Sequence, residues 1–187
     1  MGEPRIFASF VQGSLDCLAS LDAGVAERAR ARIKPETLAA VQEAGAFGWL
    51  PVAHDVEITE CLFAAAGHER ACRALRANLL AAFEQPVLRS LVQGGLAILG
   101  RSPSRLLGWA PRVWALLYRD CGSMRCEIND ASARLVLEDL PPEITASRNY
   151  LVGSAAAIGG LFDLLRIEGS SELERLEGAR AEFLLRW

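Results

Sequence analysis

Side chains for chemistry are what this sequence has least of. Its 187 residues include one lysine, Lys34, and two histidines, His54 and His68. Any histidine-based mechanism therefore rests on one of those two positions. No Walker phosphate loop, G-x-S-x-G elbow or H-E-x-x-H zinc motif occurs, so the chain is not expected to be an enzyme. Long apolar runs are lacking too. The most hydrophobic windows are broken by Glu84 and Arg89 in one case and by Asp163 in the other, well short of the ~20 apolar residues a bilayer span needs. The opening Met-Gly-Glu-Pro-Arg-Ile has no signal-peptide apolar region, and Ile6 stands where myristoylation of Gly2 calls for Ser or Thr. A cytoplasmic protein without a transmembrane segment is expected. The five cysteines, an odd number and widely spread, do not read as a disulfide framework but as small buried apolar residues in a reduced compartment. With a net charge of −3 and arginines scattered among acids, no nucleic-acid partner is expected.

What is present is a globular composition, 51% hydrophobic, with length for a sizeable core, read as a single domain over 1–187. Up to about residue 119 the period is helical. "SLDCLASL" keeps Leu15, Leu18 and Leu21 on one side, and "KPETLAAVQEAG" starts with Pro35 in a first-turn position. "GWLPVAHD" reads as a loop, with Asp55 as N-cap of the helix carrying Ile58, Cys61, Leu62 and Ala65. A further helix follows Gly67. Pro86 breaks or kinks it, and Leu88, Leu91, Val92, Gly95 and Leu99 resume the stripe. "SRLLGWAPRVWALLYRD" then brings Leu106, Ala110, Val113 and Leu117 together, flanked by Trp109 and Trp114.

From residue 121 the period becomes two. "SMRCEI" and "ARLVLE" form a hairpin closed by Pro141-Pro142, and two more strands are expected around 171–176 and 179–187. Between the pairs lies "YLVGSAAAIGGLFDLL", a helix. Fold class is therefore α+β: a helical part (about 1–119) packed on an antiparallel sheet of about four strands (about 120–187) with a crossing helix, ββαββ.

That crossing helix contains Gly153, Gly159 and Gly160, each costing about 0.8–1 kcal/mol relative to alanine. On a helical wheel Leu151, Ile158, Phe162 and Leu165 form a large apolar face suited to the sheet. Gly153, Ala156, Ala157 and Gly160 form a small-residue face roughly opposite. Close packing of a neighbouring helix, a two-fold subunit contact or the wall of a cavity for an apolar ligand would each explain it.

Other clusters bear on chemistry. Cys61, His68 and Cys72 in "CLFAAAGHERAC" supply two or three possible zinc ligands without a fourth, and Cys121 and Cys126 point to opposite faces of a regular strand. His54 beside Asp55 lacks a nucleophile. Trp49, Trp109, Trp114 and Tyr118 lie near the expected helix–sheet junction; Trp49, His54, Trp114 and Tyr118 are the candidate pocket walls.

The order "WLPVAHDVEITECLFAAAG", "SPSRLLGWAPRVWALLYRDCGSMRCEI", "LEDLPP", "YLVGSAAAIGGLFDLL" and "GARAEFLLRW" resembles the superfamily of heme–nitric oxide binding (H-NOX) domains, vinyl-reductase-like domains and Golgi transport-particle (TRAPP) subunits. It is most similar to a large paralogous family from myxobacteria. The resemblance implies that the helical half and the sheet enclose a cavity for heme or an acyl chain, or that the fold is a dimerising scaffold. Heme-binding members carry a Tyr-x-Ser-x-Arg signature for the propionates, where this chain reads "YRDCG". The reading is thus a non-enzymatic sensory or regulatory domain without a cofactor, a homodimer binding a small apolar ligand or a signalling protein. A heme- or zinc-dependent sensor and a ligand-free assembly subunit are the alternatives.

Overall fold

The computed structural model describes residues 2–45, 47–84, 94, 100 and 102–187. The expected break at Pro86 and the stripe from Leu88 to Leu99 lie outside the described residues. The helical part comprises β1 (Arg5–Phe7), α1 (Ala8–Ala19), α2 (Ala23–Arg30), α3 (Pro35–Glu43), β2 (Trp49–Pro51), α4 (Val52–Ala66), α5 (His68–Glu84), α6 (Pro103–Leu107) and α7 (Ala110–Leu117). After β3 (Tyr118–Arg119) come β4 (Ser123–Ile128), β5 (Ser132–Glu138), α8 (Pro142–Thr145), α9 (Arg148–Leu165), β6 (Ser170–Glu177) and β7 (Arg180–Arg186).

The expected α+β architecture is present, with a four-stranded antiparallel sheet in the order β4-β5-β7-β6. Its period-two pattern places Leu135, Leu137, Ala181, Phe183 and Leu185 in the core. On its other face arginines and glutamates alternate. Glu182, 7% exposed, is held by Arg180 at 2.7 Å and Arg134 at 3.3 Å, so its burial leaves no unpaired charge.

The first half is helical as expected, and it also holds strands that the period does not announce. Three short strands form a second sheet, β2-β1-β3, in which Ile6 pairs with Leu50 on one side and Tyr118 on the other. Strands of two or three residues are too short to show a period. "GWLPVAHD" is likewise not a loop: β2 runs directly into α4 at Val52. Asp55 therefore sits in the first turn of α4 instead of capping it, and it is buried.

The glycines of α9 answer to α5. Built on Gly160, a Cβ would lie 2.7 Å from the Arg76 carbonyl oxygen; on Gly153 it would lie 2.6 Å from Leu75 Cδ1. Beside this contact the Arg76 guanidinium grips Asp163 in a two-point ion pair, at 2.6 and 2.8 Å, which holds the Asp163 carboxyl below its usual range. Close packing within the chain thus covers Gly153 and Gly160, and a subunit contact is not what occupies that face. Ala157 faces elsewhere, onto a cavity, and Ala156 is half-buried. Leu151, Phe162 and Leu165 are buried as expected, whereas Ile158 joins Ala157 on the cavity wall.

Two substitutions separate helix propensity from packing. Gly160→Ala gains up to about 1 kcal/mol of propensity, but it drives a methyl group into a backbone oxygen that cannot turn aside, and overpacking costs about 1–3 kcal/mol. Urea denaturation is expected to show a net loss of roughly 1–2 kcal/mol. Gly153→Ala clashes below 3 Å only with the movable tip of Leu75, with Phe63 and Thr59 at 3.4 and 3.5 Å, and should stay closer to neutral. A Gly160→Ala protein as stable as the parent would refute the close approach.

Candidate functional site

A cavity of about 260 Å³ lies between the helices and the sheet. One wall is α6 and α7, where the predicted stripe of Leu106, Ala110, Val113 and Leu117 faces it together with Trp114. A second wall is the flank of α9 carrying Ala157, Ile158, Leu161 and Leu164. Phe10 of α1, Leu75 and Leu79 of α5, and Met124 and Phe183 of the sheet close the remainder. Apolar walls around a few polar groups are the usual make-up of a small-molecule site.

The polar groups form a chain. The Tyr150 hydroxyl donates to Asp55 Oδ2 at 3.0 Å and lies 3.0 Å from the Tyr118 hydroxyl. The Tyr118 ring stacks on Trp114, with centroids 3.8 Å apart and planes at 15°. Each member is placed by a different element. Tyr118 enters β3, whose pairing with β1 fixes it. Asp55 follows from the start of α4 after β2, on the other edge of β1. Tyr150 is set by the start of α9, where Ser147 Oγ accepts from the Tyr150 backbone N–H at 3.0 Å and donates to Glu60 of α4. Asn149 donates to the same carboxylate at 2.8 Å.

Burial dominates the electrostatics. It pushes the Asp55 carboxyl up from its ordinary 3.8, with the Ser14 and Tyr150 hydroxyls offsetting part of the rise. Both tyrosine hydroxyls are raised as well, by burial and by charged Asp55 beside them, so they remain protonated at neutral pH. Although the Tyr118 side chain as a whole is half-buried, its hydroxyl end is in the interior.

Of the four candidate wall residues, Trp114 and Tyr118 line the cavity. The other two do not. Trp49 packs edge-on to Phe7, centroids 5.6 Å apart, under the Arg119 guanidinium at 3.7 Å, and so caps the small sheet. His54 lies beside a separate open groove. The Thr37 hydroxyl there accepts from His54 Nδ1 and donates to Glu57 Oε2, both at 2.8 Å, joining α3 to α4. In the zinc candidate, His68 Nε2 and Cys72 Sγ come within 3.9 Å, but among the described residues no group of three His, Cys, Asp or Glu side chains is placed to hold a metal. Burial raises the thiols of Cys61 and Cys72. That of Cys121, reaching about 11, donates to the Arg119 carbonyl oxygen at 3.2 Å. Sequence reasoning missed Asp55 and Tyr150 as cavity residues. One signal was available: the chain has only two tyrosines, and both reach this site.

No protein-family model matches the chain, and no curated protein does. Solved structures do match in fold. An H-NOX protein mutant from K. algicida, in the unliganded Fe(II) state, is 13% identical with a TM-score of 0.64 over 97% of this chain and 95% of that one. A mutant H-NOX from T. tengcongensis is 13% identical, TM-score 0.59, over 97% of each chain. An oxygen-binding H-NOX domain related to soluble guanylate cyclases, in its oxygen complex, is 14% identical, TM-score 0.57, over 97% and 94%. The chain has the H-NOX fold.

A pH test follows from Asp55. Folded, it keeps its proton to higher pH than unfolded, so the native state binds more protons above the ordinary value of 3.8. Stability is then lost as pH rises from about 4 through the raised folded pKa. Asp55→Asn abolishes that loss. In urea titrations its stability relative to the parent should increase between pH 4 and pH 8; a pH-independent difference would contradict the assignment.

Proposed function

We propose that this chain is a sensory domain of the H-NOX fold whose cavity takes a small apolar ligand. The observation that carries this is the cavity itself, walled by apolar side chains and closed at one end by the Asp55–Tyr150–Tyr118 chain. The alternative of a heme-dependent sensor is the one that likeness of fold favours, since H-NOX proteins are among the matching structures, and another match concerns heme redox potential modulated by porphyrin distortion.

The residues of this cavity do not fit heme. Protein ligands to heme iron are His, Cys thiolate, Met paired with His, or Tyr. Neither histidine and no cysteine lines the cavity among the described residues, and the stretch 85–101 contains no His, Cys, Met or Tyr. Tyr118 and Tyr150 hold each other and Asp55, with their hydroxyls kept protonated. Met124 has no histidine beside it on the wall. No lysine or arginine is among the described lining residues to meet a propionate. Volume argues likewise. A cavity of about 150 Å³ admits benzene, so the 260 Å³ found here has room for about ten non-hydrogen atoms, against roughly forty in heme.

Absorbance and melting test the two readings together. Mixed with hemin, the purified protein should develop no stoichiometric Soret band, while octane-saturated buffer should raise its melting temperature by about 2 °C or more. A stoichiometric Soret band, or no response to octane, would overturn the proposal.

A further inference from the structure

The first two turns of α5 set two metal-binding side chains against each other at the protein's surface. His68 opens the helix and Cys72 follows four residues on, the spacing that puts two side chains on one face. His68 Nε2 and Cys72 Sγ lie 3.9 Å apart. Both side chains are held where they are. Gly67, at φ 77°, ends α4 and turns the chain into α5, and the His68 ring comes back edge-on to Phe63, with centroids 5.7 Å apart. Cys72 is half-buried and packs against the core, while His68 is exposed. The charged neighbours are engaged elsewhere: Arg73 pairs with Glu69 at 2.6 Å and Arg70 with Asp22 at 3.0 Å.

A metal–sulfur bond of about 2.3 Å and a metal–imidazole bond of about 2.0 Å span the 3.9 Å gap at an angle of about 130°. Opening the gap by about 0.4 Å makes the two bonds collinear, so an ion fits between the atoms with a small turn of the side chains. We propose that His68 and Cys72 form a two-ligand site for a soft monovalent cation, copper(I), bound between Nε2 and Sγ in place of the thiol proton. Imidazole nitrogen suits copper, and a sulfur ligand favours its monovalent state. The exchange conserves charge: the S–H bond breaks, its proton leaves to solvent, and the electron pair left on sulfur forms the S–Cu bond. Zinc does not suit the pair, because structural zinc is held by four ligands and among the described residues no third His, Cys, Asp or Glu is placed to help. Copper(I) is satisfied by two. Burial pushes the Cys72 thiol up, so the ion must displace a bound proton and its apparent affinity rises with pH. The site stands apart from the cavity and does not depend on any ligand there.

The test titrates the purified chain, reduced and free of oxygen, with copper(I) in competition with a chromophoric copper(I) chelator, and counts metal per chain by native mass spectrometry. One ion per chain is expected at the tightest site, bound about tenfold more tightly at pH 8 than at pH 7, since one proton is displaced. Cys72→Ser should remove that site. His68→Ala, which keeps every thiol, should weaken it about tenfold or more. Cys126→Ser, at the other half-buried thiol, should leave it unchanged. Zinc(II) should bind the parent at least about a hundredfold more weakly than copper(I). If Cys72→Ser does not melt cooperatively, His68→Ala decides, because its side chain is exposed. Unchanged copper(I) affinity in His68→Ala, loss of the site in Cys126→Ser, or zinc bound as tightly as copper would each overturn the proposal.

Discussion

A carboxyl group taken out of water must be compensated, and Asp55 sets that requirement for everything around it. Ionised and alone, it would cost several kcal/mol even after the surroundings relax. Its compensation comes from Tyr150, seconded by Tyr118, and these belong to parts of the chain far apart in sequence. The small sheet makes their meeting possible. Ile6 pairs at once with Leu50, just before Asp55's helix, and with Tyr118 itself. A slip of one residue in the β1–β3 pair would turn Tyr118 to the other face and strip the chain of its end member. Three very short strands therefore act as the clasp that closes the polar end of the cavity.

The apolar end depends on the spacing of α5 and α9. Where Gly160 meets the Arg76 carbonyl oxygen the helices are as close as backbones allow. On the neighbouring flank α9 carries Ile158, Leu161 and Leu164 instead, and there a space remains. The helix thus has three environments: strands under Phe162 and Leu165, a helix against Gly153 and Gly160, and the cavity along the third side. Gly160 marks the close approach of a neighbour, while the cavity flank mixes large side chains with the small Gly153, Ser154 and Ala157.

Much of this was legible in the sequence, and what was not has a physical cause. The alternation in β4, β5 and β7 and the stripe through Leu106, Ala110, Val113 and Leu117 are strong because each side chain repeats the same choice between core and exterior. Of the expected small-residue face, Gly153 and Gly160 lie against α5 and Ala157 lies on the cavity wall. Asp55 was misjudged because an acidic residue in a helix's first turn looks the same whether it caps the helix outside or points inward; only the start of α4 at Val52, set by pairing of β2 with β1, decides which. Trp49 was misplaced for the related reason that an aromatic residue in a three-residue strand gives no sign of which side is buried. Here the guanidinium of Arg119 lies over it.

The same distinction bears on a fold shared with H-NOX proteins at 13–14% identity around a cavity whose described lining holds no histidine, cysteine, lysine or arginine. A fold is specified by many positions, each needing only an apolar residue of about the right size, so most can change while the architecture persists. A ligand is specified by a few atoms, each needing one chemical property at one place. Trp114, Tyr118 and Tyr150 line a space of about 260 Å³. In this chain those aromatic side chains do two jobs at once: they wall the cavity, and the two tyrosines bring the hydroxyls that make a buried carboxyl group tolerable.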